Sequence, residues 1–155
     1  MTTPSQPAGT MDIATLRHML AGIRFRFVHV CEDAPDGFAE LSIGQGARTA
    51  LELTDHLTQL ATFSLQVFIP TTAQDLEPAS WEASYQRFLA ALDALDDALA
   101  HRPLAEDSPM TLAQMLHGPL LDMATHIGQL ALLRRVAGSP VRRVRYWQAE
   151  VKVPR

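Results

Sequence analysis

The fold is decided by the stretch DMATHIGQL, residues 122–130, which places a carboxylate and an imidazole four positions apart within an apolar segment. Side chains at positions i and i+4 project from the same side of an α-helix, with Cβ atoms about 5–6 Å apart. Leu130 and Leu133 continue the apolar pattern, so the segment predicts a helix that turns Asp122 and His126 toward the core. Burying these two groups without partners is costly, so a metal ion, a further ligand or a hydrogen-bond network must compensate.

The best candidate for a further ligand is His56, which lies in a helical pattern with Leu53, Leu57 and Leu60. Three protein ligands from two facing helices would leave an open coordination position, which suits catalysis better than structure. Two simpler interpretations stand beside this one. In the first, His56 is a hydrogen-bonded core histidine and not a ligand. In the second, Asp122 is a solvated or capping residue near the start of its helix.

Composition narrows the class of protein. At 155 residues the chain is one domain with a real core, and its 47% apolar and 19% charged residues are typical of a folded protein. The formal net charge of -4 argues against generic nucleic-acid binding. The single cysteine, Cys31, excludes an internal disulfide framework and a cysteine-rich metal site.

Targeting signals are absent from the sequence pattern. No apolar run is long enough to predict a membrane span. Residues 1–10 are polar, contain Pro4 and Pro7, and lack the apolar segment of a signal peptide, so they predict a flexible tail. We therefore expect a cytoplasmic protein without a membrane partner.

Hydrophobic periodicity predicts four long helices. Capping boxes at Thr49–Glu52 and Thr111–Gln114 mark two of the helix starts, and Pro119 marks a kink followed by a restart. The predicted helices run from Asp12 to about Val30, from Thr49 to near Ile69, from Trp81 to before Pro103, and from Thr111 through the kink to Ala137. The third carries an apolar seam of Trp81, Tyr85, Phe88, Leu92, Leu95 and Leu99, expected in the core. The sequence thus predicts an all-α four-helix bundle over residues 11–140.

The remaining segments and histidines have weaker signals. Residues 141–155 are basic and predict an extension that packs on the bundle. Within it, 142–147 could bind an anionic ligand or nucleic acid, but a solvated tail or a dimer contact is favoured, because no groove-reading motif is present. Four further histidines have no partner at the spacing of metal ligands, so we expect each to be solvated or packed and not a ligand: His18, His29, His101 and His117.

Residues about 11–140 resemble the DinB/YfiT-like superfamily of metal-dependent four-helix bundles, which includes thiol-dependent transferases. The resemblance is carried by RTALELTDHL at 48–57, HIGQL at 126–130 and LRRVAGSP at 133–140. In that family one histidine comes from the second helix and an H-xxx-H pair from the last. His56 and His126 match two of these positions, and Asp122 stands where the family has its third histidine.

The resemblance implies a mononuclear site for a divalent metal ion with His56, Asp122 and His126 as ligands. Two imidazoles and one carboxylate suit Zn²⁺, Fe²⁺, Mn²⁺ or Ni²⁺. The carboxylate lowers the charge of the site by one unit, which makes a bound water somewhat less acidic. Glu52 and Gln129, each about one turn from a histidine, are candidates for orienting the ligand imidazoles from the second shell.

The expected function is a metal-dependent enzyme that activates a small thiol or water and acts on a small-molecule substrate, similar to the thiol-dependent transferases. A low-molecular-weight thiol is then a possible cofactor. The alternative is a bundle that has lost its metal and serves as a binding or dimerisation module. We also expect a homodimer, because the family commonly pairs and Val67, Phe68 and Ile69 suggest a second apolar face. Such an interface should bury more than about 1,200 Å².

Overall fold

The computed structural model describes residues 12–70, 76–77 and 79–154, and within these ranges the chain is all-α with no β-strand. The helices are α1 (Ile13–Cys31), α2 (Ala50–Leu65), α3 (Trp81–His101), α4 (Leu112–Met115) and α5 (Leu121–Val136). A π-helical turn occupies Leu116–Leu120 and a 3₁₀ turn occupies Tyr146–Gln148. None of the described helices is both long and apolar enough to cross a membrane. The predicted tail at residues 1–10 lies outside the described residues.

Side-chain caps explain where the helices begin. The Thr49 hydroxyl accepts a hydrogen bond from the Glu52 amide at 3.2 Å, and the Glu52 carboxylate accepts one from the Thr49 amide at 2.7 Å. The same reciprocal pair forms between Thr111 and Gln114 at the start of α4. Each pair satisfies two amides that the first helical turn leaves without a partner. Both predicted capping boxes are confirmed.

The kink predicted around Pro119 is also confirmed. Gly118 has a non-helical backbone (φ -93°, ψ -106°), and the chain passes through the π-helical turn before α5 begins at Leu121. Proline lacks an amide hydrogen and its ring crowds the preceding turn, so the regular hydrogen-bond ladder breaks here. The regular α-helix α5 begins two residues after the predicted restart at Pro119.

The four long helices of the described chain form a closed ring in which each contacts two neighbours. The contacting pairs are α1 with α3, α3 with α2, α2 with α5, and α5 with α1. The core between them is rich in large apolar side chains. As predicted, the apolar seam of α3 contributes four fully or nearly buried side chains to it: Phe88, Leu92, Leu95 and Leu99. Because α2 and α5 are neighbours, His56 and His126 lie on adjacent helices.

The end of α2 differs from the prediction. The helix stops at Leu65, and the chain turns so that Val67 and Phe68 are buried and Ile69 packs against the core. The Val67 carbonyl accepts a hydrogen bond from the Ala105 amide at 2.8 Å, which holds this turn against the segment after α3. The prediction that these residues form a second apolar face for a homodimer was wrong, because the monomer's own core covers them.

The C-terminal extension, residues 141–154, lies along α1. The ring of His29 donates a hydrogen bond to the Arg142 carbonyl at 2.8 Å, and the Arg26 guanidinium stacks 3.8 Å from the centre of the Tyr146 ring. Arg17 donates to the Pro154 carbonyl at 2.6 Å. These contacts run from one end of α1 to the other, so the extension packs on the bundle over most of its length.

Candidate metal centre

The site lies at the edge of the contact between α2 and α5. On α5 the core line is formed by Met123, Ile127 and Leu130, all nearly or fully buried. His126 is next to this line, and its side chain is 12% exposed. His56 is half-buried on α2 and faces His126 across the helix contact. Two imidazoles thus meet at the boundary between core and solvent.

The three predicted ligands converge. The rings of His56 and His126 have centroids 4.7 Å apart and are nearly perpendicular, at 82°. His126 Nε2 lies 3.4 Å from Asp122 Oδ1. One ligating atom from each of His56, Asp122 and His126 lies within 4.8 Å of the other two. The geometry brings together the residues that the sequence singled out.

The hydrogen bond between His126 and Gln129 sets the protonation pattern of the imidazole. His126 Nδ1 lies 2.8 Å from Gln129 Oε1, and because an amide oxygen only accepts, Nδ1 must donate. In a neutral imidazole the other nitrogen, Nε2, then carries a lone pair. This lone pair faces the Asp122 carboxylate, which is also an acceptor. Two facing acceptors repel unless a cation, either a proton on Nε2 or a metal ion, lies between them.

The environment of His56 favours its neutral form. Burial lowers the pKa of His56, and the positive charges of Arg48 and of His126, when that ring is protonated, act in the same direction. The side chain of Gln59 and the charge of Asp122 oppose this shift. Metal ions bind imidazole only when it is neutral, so a lowered pKa makes His56 available to an ion at a lower pH.

A second glutamine near the site was missed from the sequence. His56 Nδ1 lies 3.4 Å from Gln59 Oε1, the same arrangement that His126 has with Gln129. The signal was present, because both helices carry the pattern His-x-x-Gln, at 56–59 and 126–129. Side chains three positions apart are neighbours on a helix, so this spacing lets the amide reach the ring.

The predicted part played by Glu52 was wrong. Its carboxylate accepts the Thr49 amide at 2.7 Å as half of the capping box, and it is turned toward the helix end and away from His56. The same contact lowers the pKa of Glu52. A capping box fully accounts for a glutamate at this position.

The orientation of Asp122 also differs from the prediction. The side chain was expected to point toward the core, but it is 47% exposed. At about 100° per residue, Asp122 lies roughly 100° around the helix from Met123, on the core line, whereas His126 lies about 60° from it. The carboxylate therefore borders solvent and needs no buried partner.

The donor set fits a divalent ion. A tetrahedral zinc ion holds imidazole nitrogens and carboxylate oxygens at about 2.0–2.2 Å, so its ligand atoms lie about 3.4 Å from one another. The three atoms here lie within 4.8 Å of one another, so they would have to approach by up to about 1.4 Å. Rotation of the half-exposed Asp122 side chain can supply such a movement. Metal-bound histidines usually donate their other ring N–H to a fixed acceptor, and the Gln59 and Gln129 amide oxygens lie in that position here.

A cleft of about 490 Å³ opens beside His126. It is bounded by the loop before α2, the first turns of α2 and the second half of α5. Its walls are formed by Ile43, Gly46, Ala47, Arg48, Leu53, His126, Gln129, Leu132 and Leu133. Because His126 belongs to both, the cleft is continuous with the three-residue cluster.

The other histidines lie elsewhere. His18, His101 and His117 are exposed, and His101 contacts Asp97 on its own helix. His29 contacts the C-terminal extension. Among the described residues, the cluster at His56 is the one group of three with metal-binding geometry. Comparison of the chain with models of known protein families, with curated proteins and with solved structures finds no match.

Proposed function

We propose that this protein is a DinB-like four-helix bundle that binds one divalent metal ion through His56, Asp122 and His126 and acts as a metal-dependent enzyme on a small molecule. The observation that carries the proposal is the convergence of three ligating atoms, with His126 Nε2 and Asp122 Oδ1 3.4 Å apart and His56 beside them. Zinc, nickel, iron and manganese all accept this donor set.

The chain's own residues would prepare the site in three ways. Gln129 fixes the His126 ring and leaves Nε2 as the ligating nitrogen. Burial lowers the pKa of His56 and so favours its neutral form. Asp122 borders solvent, so small molecules have access to the side of the site that three protein ligands leave open. When bound, the ion would supply a Lewis acid that lowers the pKa of a small thiol or of water and so activates it as a nucleophile.

The test is the metal content of protein purified without an affinity tag. We expect close to one equivalent of a divalent metal in the wild type and a loss of it in His126→Ala. His117→Ala is the matched control, because His117 is an exposed histidine at the kink before α5. Wild type and His126→Ala with the same low metal content, after exposure to each of the four metals, would disprove the proposal.

A second candidate, a binding or dimerisation module, is favoured by one observation on α5. Three large apolar side chains on the face opposite the core are about half exposed: Leu121, Leu132 and Val136. We propose that a second copy of the chain covers this row, which would give the expected homodimer on a different face. Sedimentation of Val136→Glu against wild type tests it, since a monomer at micromolar concentration in both would exclude the homodimer.

A further inference from the structure

The loop before α2 gives the cleft beside His126 a fixed wall. Within it, the Ser42 hydroxyl donates to the Ala47 carbonyl at 2.8 Å, and the Ala47 amide donates to the Gly44 carbonyl at 3.0 Å. Gly44 and Gly46 adopt φ of +77° and +76°, a left-handed backbone that glycine accepts without strain. These contacts fix the backbone of the loop between Ser42 and Ala47, from which Ile43 projects and after which Arg48 follows.

Arg48 is the one Arg, Lys, Asp or Glu among the residues that line the cleft. The described chain offers its guanidinium no hydrogen bond and no carboxylate within ion-pair distance. Glu52 lies close enough to interact electrostatically with Arg48, but its carboxylate is already bound at the helix cap.

The rest of the lining is mostly apolar. Ile43 is 56% exposed and Leu132 is 51% exposed, and Leu53 and Leu133 form the floor between them. An apolar group seated here would remove both exposed side chains from water. A cleft of this size that combines apolar walls with a few polar groups is typical of small-molecule sites.

We infer that this cleft binds a small organic anion, with Arg48 holding its carboxylate or phosphate and the side chains of Ile43, Leu53 and Leu132 holding an apolar body. The planar guanidinium can donate two parallel hydrogen bonds to either kind of anion. The anion is the substrate, or part of it, only if the proposed function holds. Binding itself needs no metal.

The experiment measures binding of four probes with the same six-carbon chain to the full-length protein in the presence of a chelator. The probes are hexanoate, hexyl phosphate, hexylammonium and hexanol, and the readout is NMR of labelled isoleucine and leucine methyl groups. We expect an anionic probe to shift the Ile43 methyl signal and to bind about tenfold more tightly than hexylammonium or hexanol. The order of hexanoate and hexyl phosphate tells which anion the cleft prefers.

The variant Arg48→Gln should reduce the affinity for the anions to that for hexanol. Arg143→Gln, which removes an exposed arginine from the C-terminal extension, should leave it unchanged. Equal affinity for hexanoate and hexylammonium, or undiminished anion binding by Arg48→Gln, would overturn the inference. Since a chelator is present throughout, these outcomes are independent of the metal content that tests the proposed function.

Discussion

Removing one ligand from the cluster should abolish the stabilisation that a bound metal gives. A ligand that binds only the folded state at about 100 times its Kd stabilises it by about 2.7 kcal/mol. Unfolding entropy is about 2.1 cal/mol/K per residue, so a chain of 155 residues has about 0.33 kcal/mol/K at its midpoint. The expected rise in Tm of the wild type on adding zinc is therefore about 8 °C.

In His126→Ala the rise should disappear, because only His56 and a half-exposed carboxylate remain to hold the ion. The assay is thermal unfolding followed by circular dichroism, with each protein measured after chelation and after loading. His117→Ala is the control and should keep the full rise. Coincident melting curves for chelated and loaded wild type would refute the argument that a cation belongs between Nε2 and the Asp122 carboxylate.

Four other substitutions or conditions have defined outcomes. Metal affinity, measured by competition with a chromophoric chelator, should fall as pH drops below about 6.5, where imidazoles begin to take up protons. In the metal-free protein the pKa of His56 is lower in the folded than in the unfolded state, so the free energy of unfolding should fall as the pH drops below about 6.5. Urea titrations at several pH values measure this dependence, and His56→Gln should make it weaker. Asp122→His should retain metal binding and shift the preference toward zinc or nickel, as measured by metal content after loading from an equimolar mixture. Arg134→Met should cost about 2–4 kcal/mol in urea unfolding, because this buried guanidinium donates three hydrogen bonds near the ends of α1 and α5, whereas the exposed Arg135→Met should change stability by less than about 0.5 kcal/mol.

The local signals in the sequence predicted the helices well because each has a short-range cause. Capping boxes need only four residues, and the break around Pro119 follows from the missing amide hydrogen. The turn after α2 was missed for the opposite reason. Val67 and Phe68 continue an apolar pattern that resembles helix, and only the contact of Val67 with Ala105, distant in sequence, shows that they form a turn.

The site was predicted in its membership but not in its orientation. The spacing of Asp122 and His126 correctly placed them together, since i and i+4 are neighbours whatever the helix packs against. Which of them faces the core follows from the line of Met123, Ile127 and Leu130, because Asp122 lies about 100° around the helix from Met123. The sequence argument took Leu130 and Leu133 as the apolar pattern and left Met123 and Ile127 out, so it turned Asp122 too far toward the core.

The half-exposed carboxylate changes the physical basis of the metal proposal. The sequence argument relied on the cost of burying both Asp122 and His126, but water can solvate a side chain that is 47% exposed. What calls for a cation is the hydrogen bond from His126 Nδ1 to Gln129, because in the neutral ring it leaves the opposite nitrogen as an acceptor in front of another acceptor. A proton on Nε2 also satisfies this arrangement, but it would place a charged imidazolium 4.7 Å from the ring of His56, whose lowered pKa already reflects burial and nearby positive charge. A metal ion differs from a proton in that it can accept both imidazoles as ligands at once, and so makes their close approach favourable.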